Sequence, residues 1–186
     1  MRRLTILLVL LVICIETPAL PQTTSPQPDP ELKKLHALIG HWTYAGENKP
    51  GPLGAGGKFG GEYTAQMILG GFFMQGIEKE KGTGKLLALG MEAYDPANKR
   101  FASNWYYSNG TVFSGTLTVS GNTFTWAGKL VVAGKEYLMK EAVIVSSDLM
   151  SATMSNEISV DGKQWVPSME GKLLRVGPVA KKQSTM

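Results

Sequence analysis

Two residue types that carry much of protein chemistry are scarce in this chain of 186 residues. It has one cysteine, Cys14, and two histidines, His36 and His41. A single cysteine excludes an internal disulfide and a cysteine-rich zinc centre. The two histidines are five positions apart, whereas a helical zinc pair needs an i, i+4 spacing and a third ligand. We therefore expect no metal site and no cofactor.

Signatures of a catalytic nucleophile are missing as well. No G-x-S-x-G turn occurs, and no histidine follows His41 to complete a serine triad. The glycines at 54–57 and Lys58 lack the spacing of a phosphate-binding loop. The sequence therefore assigns no catalytic residue.

Charged residues are few and follow no pattern. They make up 18% of the chain, whose net charge is +4. The basic residues stand singly or in pairs such as Lys33-Lys34, without a basic helix or stripe, so no nucleic-acid partner is expected. The 43% of hydrophobic residues excludes a disordered chain.

The one long hydrophobic run covers residues 4–15, interrupted by Thr5 and preceded by Arg2 and Arg3. It is shorter than the ~20 residues of a membrane-spanning helix. A basic start, a short apolar core and a small residue at Ala19 are typical of a secretory signal peptide. We predict cleavage near Ala19 and a secreted or periplasmic protein without a stable membrane span. An uncleaved anchor is the alternative.

Glycine, in contrast, is abundant, with 22 residues or about one in eight, against a usual ~7%. Each glycine inside a helix would cost ~1 kcal/mol, which disfavours a helical bundle. Many fall instead at turn signals such as Asn109-Gly110 and Gly121-Asn122, between segments of alternating polarity that indicate β-hairpins. We predict strands at 41–47, 61–69, 72–80, 86–94, 101–108, 111–120, 123–133, 136–146, 149–160 and 164–175.

Short hairpins between consecutive strands produce an antiparallel meander, which loses its edges by closing on itself. We predict an all-β, up-and-down barrel of about 8–10 strands. A β-sandwich is the alternative, but its crossovers need longer connections. A short helix with Leu32, Leu35, Leu38 and Ile39 on one face precedes the barrel, and residues 48–60 are predicted to form a mobile loop. The predicted organisation is a signal peptide (1–19), a flexible tether (20–29), the barrel domain (30–176) and a flexible tail (177–186).

Several short motifs follow one another in a fixed order. They are Leu35-x-x-Leu38-x-Gly40-x-Trp42, Ile68-Leu69-Gly70-Gly71-Phe72-Phe73, Gly90-Met91-x-x-Tyr94-Asp95, Trp105 and Asp161-Gly162-Lys163. The series resembles lipocalin-like (calycin) barrels, and within them a bacterial family of secreted proteins of unknown function. The resemblance implies that Trp42 packs under an arginine of the last strand, which here is Arg175. Haem-binding barrels of this kind use a histidine on a late strand, which this chain lacks.

Methionine and aromatic residues are frequent on the predicted strands, and a barrel of this size can hold a ligand inside. Ordinary core packing is the alternative explanation for them. Among the carboxylates, Glu92 and Glu157 are the best candidates for burial. The residues predicted to line a ligand site are Met67, Met74, Met91, Glu92, Trp105, Tyr107, Trp126, Met139 and Met154.

The sequence favours a barrel that binds a small apolar or amphipathic ligand without catalysis. An enzyme that uses inward carboxylates or tyrosines on the same barrel is an alternative. A structural or interaction module is another. The sequence leaves the ligand and the oligomeric state open.

Overall fold

The computed structural model describes residues 26–177. The predicted signal peptide and its cleavage site lie outside this part of the chain, as do most of the predicted tether and tail. A 3₁₀ helix over Pro30–Ala37 opens the structure. Asp29 caps it, because its Oδ1 accepts a hydrogen bond of 2.9 Å from the backbone N–H of Glu31. No helix within residues 26–177 is long and apolar enough to cross a membrane.

The three-residue spacing of Leu32, Leu35 and Leu38 is compatible with the 3₁₀ geometry of the helix. Side chains three positions apart lie directly above one another at three residues per turn. All three leucines are buried in the core, and Leu35 is completely inaccessible. The helix therefore presents one continuous apolar edge to the barrel.

Ten strands follow the helix, as the alternation of polarity predicts. Their bounds are β1 Gly40–Asn48, β2 Gly57–Ile68, β3 Phe73–Lys79, β4 Leu86–Asp95, β5 Arg100–Tyr107, β6 Val112–Ser120, β7 Thr123–Val132, β8 Lys135–Val145, β9 Ser151–Ser159 and β10 Val166–Val176.

The strands form a single closed barrel in which every neighbour is antiparallel and the first strand pairs with the last. The pairing of β1 with β10 that closes the barrel extends from His41, opposite Val176, to Asn48, opposite Met169. The all-β, up-and-down barrel predicted from the sequence is thus confirmed.

One segment differs clearly from the sequence-based expectation. The loop predicted over residues 48–60 is shorter, because β2 begins at Gly57, where it pairs with Asn48. Glycines that look like a loop in the sequence are drawn into the sheet by their pairing with β1. The connection between β1 and β2 is left with residues 49–56.

The 3₁₀ helix lies at the end of the barrel where β1 begins and β10 ends, which we call the helix end. The indole Nε1 of Trp42 donates a hydrogen bond of 2.9 Å to the Leu38 carbonyl. Arg175 stacks on that indole, with its Cζ 4.0 Å from the ring centroid. Its guanidinium donates hydrogen bonds to the carbonyls of Ala37, Ile39 and Leu149. These contacts hold the end of the helix against the barrel at the helix end.

The opposite end, which we call the loop end, carries the connection over residues 49–56. The Tyr137 hydroxyl, near the start of β8, donates a hydrogen bond of 3.4 Å to the carbonyl of Pro52. Gly51 and Gly54 exchange two backbone hydrogen bonds within the connection. The connection therefore has internal structure and contacts the barrel.

Candidate functional site

The alternation of burial along each strand identifies the side chains that face the interior. Met91 alternates with the buried Gly90 and Glu92 on β4 and is only partly buried, so it lies on the outer face. The expectation that Met91 lines the interior is therefore wrong. The other predicted lining residues face inward: Met67, Met74, Glu92, Trp105, Tyr107, Trp126, Met139 and Met154.

Glu92 is the centre of a buried hydrogen-bond network. Its side chain is 1% exposed. Its Oε1 accepts hydrogen bonds from Ser103 Oγ at 2.9 Å, Trp126 Nε1 at 3.0 Å and Trp105 Nε1 at 3.1 Å. Its Oε2 is buried and has no hydrogen-bond partner. One oxygen thus holds two indoles in place, while the other lacks a donor.

The Trp105 ring fits into the barrel because two glycines lie beneath it. Gly76 and Gly90 face each other across β3 and β4, and Gly90 also pairs with Trp105. A Cβ on Gly90 would come within 2.2 Å of the indole, and one on Gly76 within 2.6 Å. These glycines clear the space that lets the indole N–H reach Glu92.

A second carboxyl, Glu141 on β8, is held by a chain of two hydrogen bonds. Asn156 Nδ2 donates to Glu141 Oε2 at 3.3 Å, and Ser168 Oγ donates to Asn156 Oδ1 at 2.6 Å. Ser168 lies at the irregularity in β10 between Pro167 and Met169. Such a bulge turns an additional side chain toward the partner strand.

A third carboxyl, Glu78 on β3, accepts a hydrogen bond of 3.2 Å from the Tyr44 hydroxyl. Glu78 interacts electrostatically with Glu141, which in turn interacts with Glu92. Burial raises the pKa of Tyr63, and the charges of all three carboxyls raise it further. We call Glu78, Glu92 and Glu141 the carboxyl cluster.

Several inward-facing side chains in or beside this cluster are not fully buried. Glu78, Tyr107 and Glu141 are deeply enclosed by the protein. Each nevertheless keeps surface that a water molecule can reach. Tyr44 is likewise only partly buried. Two of the three carboxyls, Glu78 and Glu141, therefore retain accessible surface.

Burial dominates the electrostatics of the cluster, because a charged carboxyl is disfavoured where water is scarce. It raises the pKa of Glu92 to about 7, against the opposing effect of the hydrogen bonds from Trp126, Ser103 and Trp105. Burial also raises the pKa of Glu141 to about 7, opposed by Asn156 and reinforced by Glu78. Burial also raises the pKa of Glu78, and the hydrogen bond from Tyr44 offsets only part of this rise.

No basic side chain within the described residues offsets these carboxyls. Arg175 is the only buried basic residue in the ten strands. Its guanidinium is occupied by three carbonyls and Trp42 at the helix end. The interior is therefore acidic whenever the cluster is ionised.

Sequence reasoning missed several of these residues and misplaced Glu157 as well as Met91. Glu157 is exposed on the outer face of β9, next to the buried Asn156. The buried Ala152, Met154 and Ile158 share the parity of Asn156, so the alternation itself contained this information. The missed residues that join the site are Tyr44, Tyr63, Glu78, Ser103, Glu141, Asn156 and Ser168.

The polar groups of the carboxyl cluster differ in their placement from those of the surface grooves. Within residues 26–177, no group of three or more His, Cys, Asp or Glu side chains is placed to hold a metal ion. Two grooves of about 440 and 190 Å³ lie open to solvent, and no carboxyl of the cluster lines either of them. The polar groups that converge are all inside the barrel.

Comparison with known proteins gives the family and the fold. No curated protein matches this chain. The crystal structure of Rv2717c from M. tuberculosis is similar to it, with a TM-score of 0.56 and 17% sequence identity over 81% of this chain and 100% of that one. A likeness at this identity extends to the fold alone. A family model matches residues 27–175, nearly the whole described region, and the chain belongs to that family, described as "Protein of unknown function (DUF1579)".

Proposed function

We propose that this protein is a lipocalin-like (calycin) barrel that binds a small amphipathic ligand in its interior without transforming it. The observation that carries the proposal is the accessible surface of Glu78, Tyr107 and Glu141, whose side chains face the inside of the barrel. An interior that only stabilised the fold would cover these side chains with others, because protein cores pack to crystal density.

The lining supports an amphipathic ligand rather than a purely apolar one. Binding sites for small molecules combine apolar and aromatic walls with a few converging polar groups. The carboxyl cluster provides the polar groups here. The apolar walls include Tyr63, Met74, Trp105, Phe113, Trp126, Leu130, Met139 and Met154.

We further propose that the protein acts outside the cytoplasm, either secreted or in the periplasm. The support is the basic start, the short apolar run and the small residue at Ala19. Sequencing the N-terminus of the protein recovered from its native host tests this, with a start near residue 20 expected. A cytoplasmic protein that retains Met1 would contradict it.

Native mass spectrometry of the purified protein, with and without a panel of small amphipaths, tests ligand binding. We expect one bound molecule per barrel. Met169→Trp, at a half-buried position packed against the core, should block binding by filling the interior. Met150→Trp is the matched control, since Met150 is 41% exposed in a turn. A barrel that stays empty throughout the panel would contradict the proposal.

Catalysis on the same barrel is the second candidate. It is favoured by the Tyr44–Glu78 hydrogen bond and by carboxyls whose pKa lies near 7, where general acids and bases work best. Incubating the protein with each bound ligand and analysing the ligand afterwards separates the two functions. A chemically changed ligand, with the change abolished in Tyr44→Phe, would establish an enzyme. An unchanged ligand supports binding alone.

A further inference from the structure

We propose that the barrel selects amphipathic cations, with a protonated amine beside the carboxyl cluster and its apolar body among the aromatic walls. This inference rests on the proposed function and adds the chemical class of the ligand. The class is that of aliphatic or aromatic amines, which carry a compact positive charge with several N–H donors.

The first argument is the charge balance of the interior. Glu78, Glu92 and Glu141 come from β3, β4 and β8 and interact electrostatically with one another or with shared neighbours. The one buried basic residue of the ten described strands, Arg175, donates its hydrogen bonds to carbonyls at the helix end. An ammonium would supply the missing positive charge, whereas a carboxylate ligand would add a like charge in a poorly screened space.

The second argument, independent of the charge count, is the unpaired oxygen of Glu92. Its Oε2 has no hydrogen-bond partner although the side chain is 1% exposed. Nearly all buried polar atoms in folded proteins have a partner, so an exception needs an explanation. The terminal torsion of glutamate is soft, which allows a small rotation to turn Oε2 toward a donor that enters the carboxyl cluster. The hydrogen-bond network around Glu92 lacks one donor, and an ammonium group carries three N–H donors.

The third argument concerns the walls. Tyr63 and Trp105 contact each other, with ring centroids 6.2 Å apart, and Trp126 converges on the same carboxyl as Trp105. Aromatic faces attract cations, and groups of aromatic rings are a common way of recognising organic ammonium ions. The same rings also provide apolar contacts for the body of an amine.

A bare metal ion fits this interior less well than an organic cation. No group of three potential ligands within residues 26–177 is arranged for a metal. The carboxyls are held separately, Glu92 by two indoles and a hydroxyl and Glu141 by Asn156. An amine needs only one or two of them and gains the remainder of its affinity from the apolar walls.

Isothermal titration calorimetry with three ligands that share one tail provides the test. Octylamine, 1-octanol and octanoate are titrated at pH 8, where the amine is charged and the cluster is ionised. We expect octylamine to bind about tenfold more tightly than 1-octanol, because charge-assisted hydrogen bonds are roughly twice as strong as neutral ones. Octanoate should bind most weakly of the three.

Single substitutions test whether the carboxyl cluster causes the preference for octylamine. Glu141→Gln keeps the shape and removes one charge, so the preference for octylamine over 1-octanol should fall several-fold. Glu157→Gln is the matched control, because Glu157 is exposed one position away from Asn156 on the outer face. If Glu141→Gln does not fold, Glu78→Gln serves in its place, because the Glu78 side chain also keeps accessible surface.

The outcomes separate this inference from the proposed function. Equal affinity for the three ligands, tightest binding of octanoate, or an unchanged preference in Glu141→Gln would overturn the selection of cations while supporting ligand binding. The absence of binding by all three ligands and by the wider panel of amphipaths would overturn both.

Discussion

Replacing Glu92 by glutamine should change how the stability of the fold depends on pH. Glutamine retains an oxygen that can accept from Ser103, Trp105 and Trp126, as Oε1 does now. It removes the ionisable group while preserving the volume of the side chain. The variant therefore isolates the contribution of the buried charge from that of packing.

The magnitude follows from the pKa of Glu92, which burial raises from its ordinary value of 4.5 to about 7. Because the folded state holds the proton more tightly, this contribution to stability is fully present below pH 4.5 and is lost as the pH rises through about 7. At ~1.4 kcal/mol per pKa unit, the loss by pH 8 is about 3 kcal/mol. Glu141 and Glu78 have raised pKa values as well and contribute with the same sign.

Urea unfolding followed by tryptophan fluorescence, at intervals from pH 4.5 to 8.5, measures this loss. The wild type should lose stability across the range, and Glu92→Gln should lose about 3 kcal/mol less. Glu157→Gln, on the outer face, should retain the wild-type profile. Three carboxyls with a lowered pKa alter the stability only at pH values below the tested range, so they do not affect this comparison. They are Asp95, Asp148 and Asp161. Wild-type stability that rises from pH 5 to pH 8 would refute the reasoning.

Three substitutions test the contacts that hold the barrel and its helix, with thermal and urea unfolding as the measurements. Gly90→Ala places a methyl group 2.2 Å from the Trp105 ring and should cost ~1–3 kcal/mol, with a shift in the tryptophan emission; unchanged stability would contradict the close packing. Arg175→Met leaves three carbonyls without their donors and should cost ~2–4 kcal/mol, whereas a loss under ~0.5 kcal/mol would mean that the arginine is dispensable. Leu35→Ala empties a completely buried position and should cost ~2–5 kcal/mol, while the exposed control Leu174→Ala should stay within ~0.5 kcal/mol.

Much of the fold could be predicted from the sequence, because hairpins leave local signals. The turn at Gly121-Asn122 separates β6 from β7 where the alternation predicts it, and both glycines at 110 and 121 have positive φ. The start of β2 could not be read in this way. Gly57 and Gly60 join the sheet only because β1 offers them partners, and that pairing is a property of the tertiary structure rather than of the local sequence.

The interior was harder to predict, since a shift of one residue exchanges the two faces of a strand. The frequency of methionine on the strands predicts Met91 in the interior, and the neighbour Asn156 predicts burial of Glu157. Each lies on the outer face beside a residue that faces inward. Ser168 is a different case, because the irregularity between Pro167 and Met169 breaks the period that alternation depends on. Convergence of Glu78, Glu92 and Glu141 required the closed barrel, which brings β3, β4 and β8 around one space.

The pairing of β1 with β10 has a consequence for the order in which the protein is made. A growing chain synthesises β1 first and its second partner last, so the ring stays an open sheet until residues 166–176 have emerged. Such distant pairings make folding slow, typically ~milliseconds to seconds for β-barrels. Residues 166–174 pair with β9, so a chain interrupted before β10 has no enclosed interior. The carboxyl cluster is thus enclosed only when the final strand is in place, and a truncated product would lack a sealed core.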